Sequence, residues 1–366
     1  MSPHRSSGPE QSALVLSWEQ PRGLAGLSII NFLLRVVTLG LYGFWAKTEV
    51  RRRLWSAMRL NGEPLAYTGT GGELLRGFLV VFGIIVLPLF LATFTAVVAF
   101  GPESSALAAF QVAVYLIFLG LWGVGIWRAQ RYRLSRTMWR GIRGRLKGNE
   151  VHFAWTFFWT ALLVPLTLGW IIPWRSTKLQ SLLTNATHFG DRRFAFAASC
   201  RPLYTTFAWA WLAMAVITVA GIVLANIMIA ATIVMLPGQD LESLQLLFAA
   251  IGLGVLAVGY VFWIIVSSWY RARQTNYFAA NTHYEGASLR GTLTGRGLIG
   301  VAIVNVFIIV LSLGIFAPIA QARAWRYVVN NLSIDGEVPL GEIAQAADDG
   351  LERGEGLAQA FDFDGF

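Results

Sequence analysis

The sequence predicts an all-α integral membrane protein, a multi-pass helical bundle with internal repeats. Three observations predict it: long runs almost without charge, a Thr-Leu-Gly (TLG) segment that recurs, and short basic cassettes that alternate with the apolar elements. The chain of 366 residues is 55% hydrophobic and 13% charged. A soluble domain carries about 25% charged residues, so the composition argues against a soluble enzyme. The net charge of +9 is the difference between a basic body and an acidic tail, because Arg353 is the only base in residues 335–366.

Residues 77–127 contain one charge, Glu103, beside Gly101 and Pro102. Residues 202–270 contain two, Asp240 and Glu242, beside Pro237 and Gly238. About 20 apolar residues cross the ~30 Å hydrocarbon core of a bilayer as a helix, so each run holds two full spans joined by a short turn. A buried helix of a soluble protein rarely runs so long without charge.

Three further apolar segments, residues 23–46, 151–174 and 298–322, carry Thr38-Leu39-Gly40, Thr167-Leu168-Gly169 and Ser312-Leu313-Gly314. A basic stretch follows each, and then Gly62, Gly190 and Gly336 at matching offsets, which marks a duplicated unit. Asn31 matches Asn305, and Arg52 matches Arg326. Two more basic stretches follow the hairpins, from Arg128 and from Arg271. Each cassette reads as a short basic helix, a polar turn with glycine and a few residues of strand-like alternation. The division is an N-terminal segment, 1–22; repeat 1, 23–127; repeat 2, 128–270; a partial repeat 3, 271–344; and an acidic tail, 345–366, expected to be disordered.

Loops rich in Lys and Arg stay on the cytoplasmic side, so the cassettes and the C-terminus are expected there and the hairpin tips opposite. The TLG segments have basic flanks at both ends. If they crossed, the repeats would be inverted, as in many transporters. The charge pattern favours four full spans plus three partial insertions broken at Gly40, Gly169 and Gly314, with the loose backbone covered by neighbouring helices.

Arg133, Arg136, Arg140, Arg143 and Lys147 recur at spacings of 3 and 4, on one face of a helix. With Trp139, Ile142 and Leu146 on another face, they predict an amphipathic helix in the membrane surface, its cations among anionic headgroups. Arg51, Arg52 and Arg53 form a second basic cluster. For the Arg133–Lys147 stretch an ordinary topology-setting loop is the equal alternative. Arg35 is the one Arg, Lys, Asp or Glu within the TLG segments, and Asn226 lies in the third full span. Such residues are candidates for intramembrane function, against snorkelling for Arg35 and helix bridging for Asn226. Tryptophans 45, 127, 174, 269 and 325 read as an interfacial belt.

Four histidines and the single Cys200 leave no thiolate metal site, no HExxH and no nucleophile paired with a base. No cofactor is expected, and the Gly69-Thr70-Gly71-Gly72 string lacks the Lys-Ser/Thr ending of a P-loop. The basic charge is explained by membrane topology rather than by nucleic-acid binding.

The strings TLGLYGFWAKTEVRRRLW at residues 38–55, LNGEPLAYTGTGGELLRGF at 60–78 and RYRLSRTMWRGIR at 131–143 resemble the YjgN-like family of bacterial inner-membrane proteins, domain of unknown function 898. The resemblance covers roughly residues 23–340. It implies a multi-pass protein of the bacterial inner membrane with no established molecular activity.

The expected function is that of a non-enzymatic membrane platform whose basic cassettes contact anionic phospholipids or a partner protein, either a second copy or another membrane protein. The alternative is a transporter or channel that uses the broken TLG segments.

Overall fold

The structure, a computed structural model, describes residues 11–236, 244–339 and Ile343. The tip of the second hairpin, with Asp240 and Glu242, and the acidic tail at 345–366 lie outside the described residues. Helical pairs alternate with short β units along the chain. The first, third and fifth pairs are short: α1 (Leu24–Val37) with α2 (Gly43–Ala57), α6 (Glu150–Leu166) with α7 (Ile172–Ala186), and α10 (Gly295–Leu311) with α11 (Ala317–Asn330). The second and fourth are long: α3 (Gly71–Val81) and α4 (Leu87–Phe100) with α5 (Ser105–Ser135), and α8 (Arg201–Met235) with α9 (Gln245–Ala280).

Among the described residues four helices are long and apolar enough to cross a membrane: residues 71–100, α5, α8 and α9. At ~1.5 Å rise per residue they measure about 45 to 54 Å. The first of them contains a π-helical turn, Phe82–Val86. Pro88 has no N–H to return to Ile84, so the helix loosens just before it.

The first arms of the short pairs, with 14, 17 and 17 residues, reach only about 21 to 25 Å. Each ends at its TLG turn, and the chain folds back along itself. The N–H groups of Gly40, Gly169 and Gly314 donate to the carbonyls of Arg35, Val164 and Ile309 at 2.7, 2.7 and 2.8 Å. Thr38 Oγ1 donates to Leu34 O at 2.6 Å and accepts from Tyr42 N at 2.9 Å. Thr167 and Ser312 repeat this double bond, to Leu163 O and Ile308 O and from Ile171 N and Phe316 N. The residues that close the turn are left-handed: Leu39 and Gly40 at φ 50° and 91°, Leu168 and Gly169 at 49° and 86°, Leu313 and Gly314 at 50° and 84°. The hydroxyl and the Gly N–H together satisfy polar groups that a broken helix would otherwise leave unpaired.

The sequence predicts an all-α protein, and the described residues contain thirteen strands as well. β3 (Met58–Leu60) with β4 (Glu63–Pro64), β6 (Thr137–Trp139) with β7 (Ile142–Leu146), β8 (Thr187–Phe189) with β9 (Arg192–Phe196), and β10 (Thr282–Tyr284) with β11 (Ala287–Gly291) are hairpins with two-residue loops. Asn61-Gly62 and Arg140-Gly141 close two of these with both φ angles positive, the geometry that matches the twist of a hairpin. β5 (Ala66–Tyr67) and β12 (Leu332–Asp335) complete an antiparallel eight-stranded sheet that runs β5 to β12 in chain order. The strands are two to five residues long and pair across distant cassettes, so alternation within any one cassette is too short to reveal a sheet.

The N-terminal chain contributes to two smaller sheets that are separate from this one in hydrogen bonding. β2 (Leu16–Trp18) pairs with β3, and β1 (Gln11–Ala13) pairs with β13 (Glu337–Pro339). The apolar residue at each bend points to a shared core: Leu60, Trp139, Ile142, Phe189, Tyr284, Ala287 and Val338 pack together with Leu14 and Ile343. The helical pairs likewise make a circuit, since α2 packs on α3, α5 on α6, α7 on α8 and α9 on α10, while α11 returns to α1 and α2. All pairs therefore rise from one β body.

Candidate functional site

The basic residues singled out in the sequence do not share one helical face. Arg133 lies in the last turn of α5, Arg136 caps it, Arg140 occupies a hairpin turn, Arg143 belongs to β7 and Lys147 follows that strand. The Arg140-Gly141 turn breaks the helical register, because both residues are left-handed and reverse the chain. What spacing presents as one face is a helix end plus a β-hairpin.

Many of these cations tie elements together. Arg136 Nη2 donates to Glu73 Oε1 at 2.8 Å. Arg140 forks onto Glu63 through Nε and Nη2, both at 2.9 Å. That hydrogen bonding holds the Glu63 carboxyl below its ordinary pKa, in spite of a smaller opposing effect of desolvation. Arg128 forks in the same way onto Glu150, at 3.1 and 2.9 Å, and lowers its pKa chiefly through those bonds. Arg52 donates to the carbonyl of Gly69, and Arg53 to that of Arg22. Between β hairpins, Arg192 meets Glu285 at 3.3 Å, and Arg59 pairs with Glu19 beside β2. Burial raises the pKa of the Tyr284 phenol in the β core, and Glu285 adds to the effect.

Arg35 is exposed on α1, with its backbone carbonyl used in the TLG turn. Asn226 is exposed on α8 and donates to Ile222 O of its own helix at 2.8 Å, so it does not bridge helices. Trp127 is 3% exposed and packs on Phe153, which removes it from the expected belt; Trp45 and Trp269 are exposed. His188 Nδ1 lies 2.9 Å from Ala186 O, which occupies it within its own turn. Thr70 caps α3 through a reciprocal capping box with Glu73. Gly123 lets α5 approach α6, since a Cβ there would lie 2.9 Å from Ala154 Cα, whereas Gly252, Gly254 and Gly259 face open space.

A cavity of about 330 Å³ lies between the first and fifth helical pairs and the end of α5. Its polar end holds Arg51, 9% exposed on α2, and Arg133, which donates to Gln130 Oε1 at 2.9 Å. Its other end reaches Ile309 and Ala317, on either side of the Ser312-Leu313-Gly314 turn. Asn305 lines it, with Nδ2 donating to Ala320 O at 2.9 Å and Oδ1 buried without a hydrogen bond. Sequence reasoning singled out Arg51 and Arg133 but missed Asn305 as a site residue; the Asn31–Asn305 match was the available signal. Among the described residues no cluster of His, Cys, Asp or Glu is arranged to hold a metal ion.

Comparison with known proteins agrees with this picture of a membrane-type chain. It is 21% identical over 356 residues to Inner membrane protein YjgN of Salmonella typhimurium, covering 87% of each chain. It is 28% and 27% identical to the proteins of that name from Escherichia coli O157:H7 and K12, over 42% of this chain and 35% of theirs. No solved structure matches. The model of the family described as bacterial protein of unknown function (DUF898) matches residues 20–360, and the chain belongs to that family.

Proposed function

We propose that this chain is a multi-pass inner-membrane protein that serves as a non-enzymatic platform, with its β body and basic helix ends held at the cytoplasmic surface against anionic phospholipids. The observation that carries this reading is that every helical pair begins and ends at one β body. The Arg and Lys residues at the bases of α2, α5, α9 and α11 therefore lie on one side of the apolar helices. The positive-inside rule makes that side cytoplasmic. The long pairs then cross the bilayer. The short pairs dip in and return, which suits their ~21 to 25 Å reach against a ~30 Å core. Leu39, Leu168 and Leu313, 95%, 71% and 88% exposed at the turns, are then solvated by acyl chains. A transport path along the TLG segments draws no support from turns whose glycine N–H and Thr or Ser hydroxyl groups are bonded within the chain.

Spin-labelled phosphatidylglycerol and phosphatidylcholine in bilayers containing the protein test this proposal. Phosphatidylglycerol is expected to be enriched at the protein boundary at 0.1 M salt and to lose most of that enrichment at 1 M, where the Debye length falls from ~10 to ~3 Å. Equal boundary fractions of the two lipids at low salt would overturn the lipid-contact reading.

A further inference from the structure

The short helical pairs stand above the last charge by far less than the long ones do. We propose that their three TLG turns are shallow wedges in the cytoplasmic leaflet alone, and that they draw the protein to membrane whose cytoplasmic face is convex. The inference rests on the platform reading, because it needs the β body on the cytoplasmic side.

Charge sets the level of the bilayer. Within the described helices every Arg, Lys, Asp and Glu lies no more than eleven residues from the end that adjoins the β body. The highest are Arg35, eleven residues from Leu24, and Arg175, eleven residues from Ala186, at a height of about 17 Å. Arg271 is nine residues from Ala280, and Arg128 is seven from Ser135. Charge inside hydrocarbon is expensive, so the apolar core begins near that height on all ten helical arms. Above it residues 71–100, α5, α8 and α9 rise a further ~28 to 37 Å, which matches a core of ~30 Å. The short pairs rise only ~4 to 8 Å, close to the depth at which interfacial helices bury their apolar side.

The turns suit that depth. Val37 and Leu39, Leu166 and Leu168, and Leu311 and Leu313 are exposed there. The glycine N–H and the Thr or Ser hydroxyl of each turn are bonded within the chain, so they enter hydrocarbon already satisfied. The area is then unequal between leaflets. Four of the described arms cross the outer leaflet, and the six short arms add to the cytoplasmic one. At a helix diameter of ~10–12 Å they add roughly 500 to 700 Å² to that leaflet alone. A short pair packs on each side of both long hairpins, α2 on α3, α6 on α5, α7 on α8 and α10 on α9, so the excess surrounds the hairpins. A body wider in one leaflet fits best where that leaflet is expanded, and shallow apolar insertion is sensitive to curvature.

Membrane tethers pulled from giant vesicles that contain the full chain test the wedges. In a Cys200→Ser background, an impermeant fluorescent maleimide applied outside marks Asp191→Cys molecules whose β body faces outward and Glu103→Cys molecules whose β body faces inward. The outer leaflet of a tether is expanded. The first set is therefore expected at about threefold higher density in the tether than on the vesicle, and the second at about threefold lower density. The triple variant Leu39→Asp/Leu168→Asp/Leu313→Asp puts a charge at every turn and is expected to abolish both differences. The opposite signs of the two labels decide the matter if that variant misfolds. Equal densities in tether and vesicle, or sorting of the same sign for both labels, would overturn the wedges. Undiminished sorting in a folded triple variant would overturn the turns as its cause. Loss of phosphatidylglycerol enrichment with the spin labels strikes the platform reading itself, whereas retained enrichment without sorting strikes only this inference.

Discussion

Arg136 reaches across from the end of α5 to place Nη2 2.8 Å from Oε1 of Glu73, in the first turn of α3. The same carboxylate accepts from Tyr132 Oη at 3.1 Å and completes the capping box of Thr70. One side chain thus caps a long helix and pins it to the base of its partner. The arginine is 12% and the glutamate 29% exposed, so the pair is screened little by water.

Glu73→Ala removes the acceptor of the Thr70 N–H in the capping box and the ion pair to Arg136, and it should lower stability by about 2 kcal/mol. Glu63→Ala breaks the exposed pair with Arg140 and should leave the unfolding midpoint nearly unchanged. Thermal unfolding of both variants in mild detergent makes the comparison, and equal losses would contradict the distinction.

The TLG turn predicts opposite signs at adjacent residues. Gly40→Ala puts a Cβ on backbone at φ 91° and should cost about 1–2 kcal/mol. Leu39→Gly releases strain at φ 50° but adds freedom to the unfolded chain, for a net gain under ~1 kcal/mol. Unfolding midpoints of the two variants check the signs.

The fold-back arrangement predicts which side each turn faces. In a Cys200→Ser background, Glu103→Cys should react with an impermeant maleimide applied to intact spheroplasts. Asp191→Cys, in the loop between β8 and β9, should react only after permeabilisation. Labelling of Asp191→Cys from outside would restore full crossings for the TLG segments and inverted repeats.

The Arg128–Glu150 fork predicts a pH dependence. Because the folded state lowers the Glu150 pKa below the ordinary carboxylate value of about 4.5, the pair's stabilisation is fully present above about pH 4.5 and fades as pH falls through the folded value. The difference in unfolding midpoint between the parent and Glu150→Gln should therefore shrink between pH 6 and pH 3. A constant difference would show that the fork does not titrate in that range.

The long helices and the turn glycines were legible because their signals are local. An uncharged run has a length, and a left-handed turn needs its glycine at a fixed place after Thr or Ser. The β body was hidden because its strands are two to five residues long and gain their partners only when distant cassettes meet. The spacing of Arg133, Arg136, Arg140 and Arg143 mimicked a helix for the same reason: a period of three to four survives on paper across a turn that the backbone reverses. The cavity was illegible as a unit, since Arg51, Arg133, Asn305 and Ala324 come from four helices. The Asn31–Asn305 match, beside that of Arg52 with Arg326, hinted that the first and last short pairs correspond, and Asn31 is itself buried with neither amide atom bonded.

The pairing of Gln11 with Pro339 sets an order on synthesis. Translation releases the β units one at a time, each trailing helices already committed to the bilayer, but strand β1 has no partner until residues 337–339 leave the ribosome. The first of the described strands is thus among the last to be placed. A nascent chain stopped before residue 337 should be fully inserted yet open at its seam, with its N-terminus accessible to protease and the apolar residues at its bends uncovered.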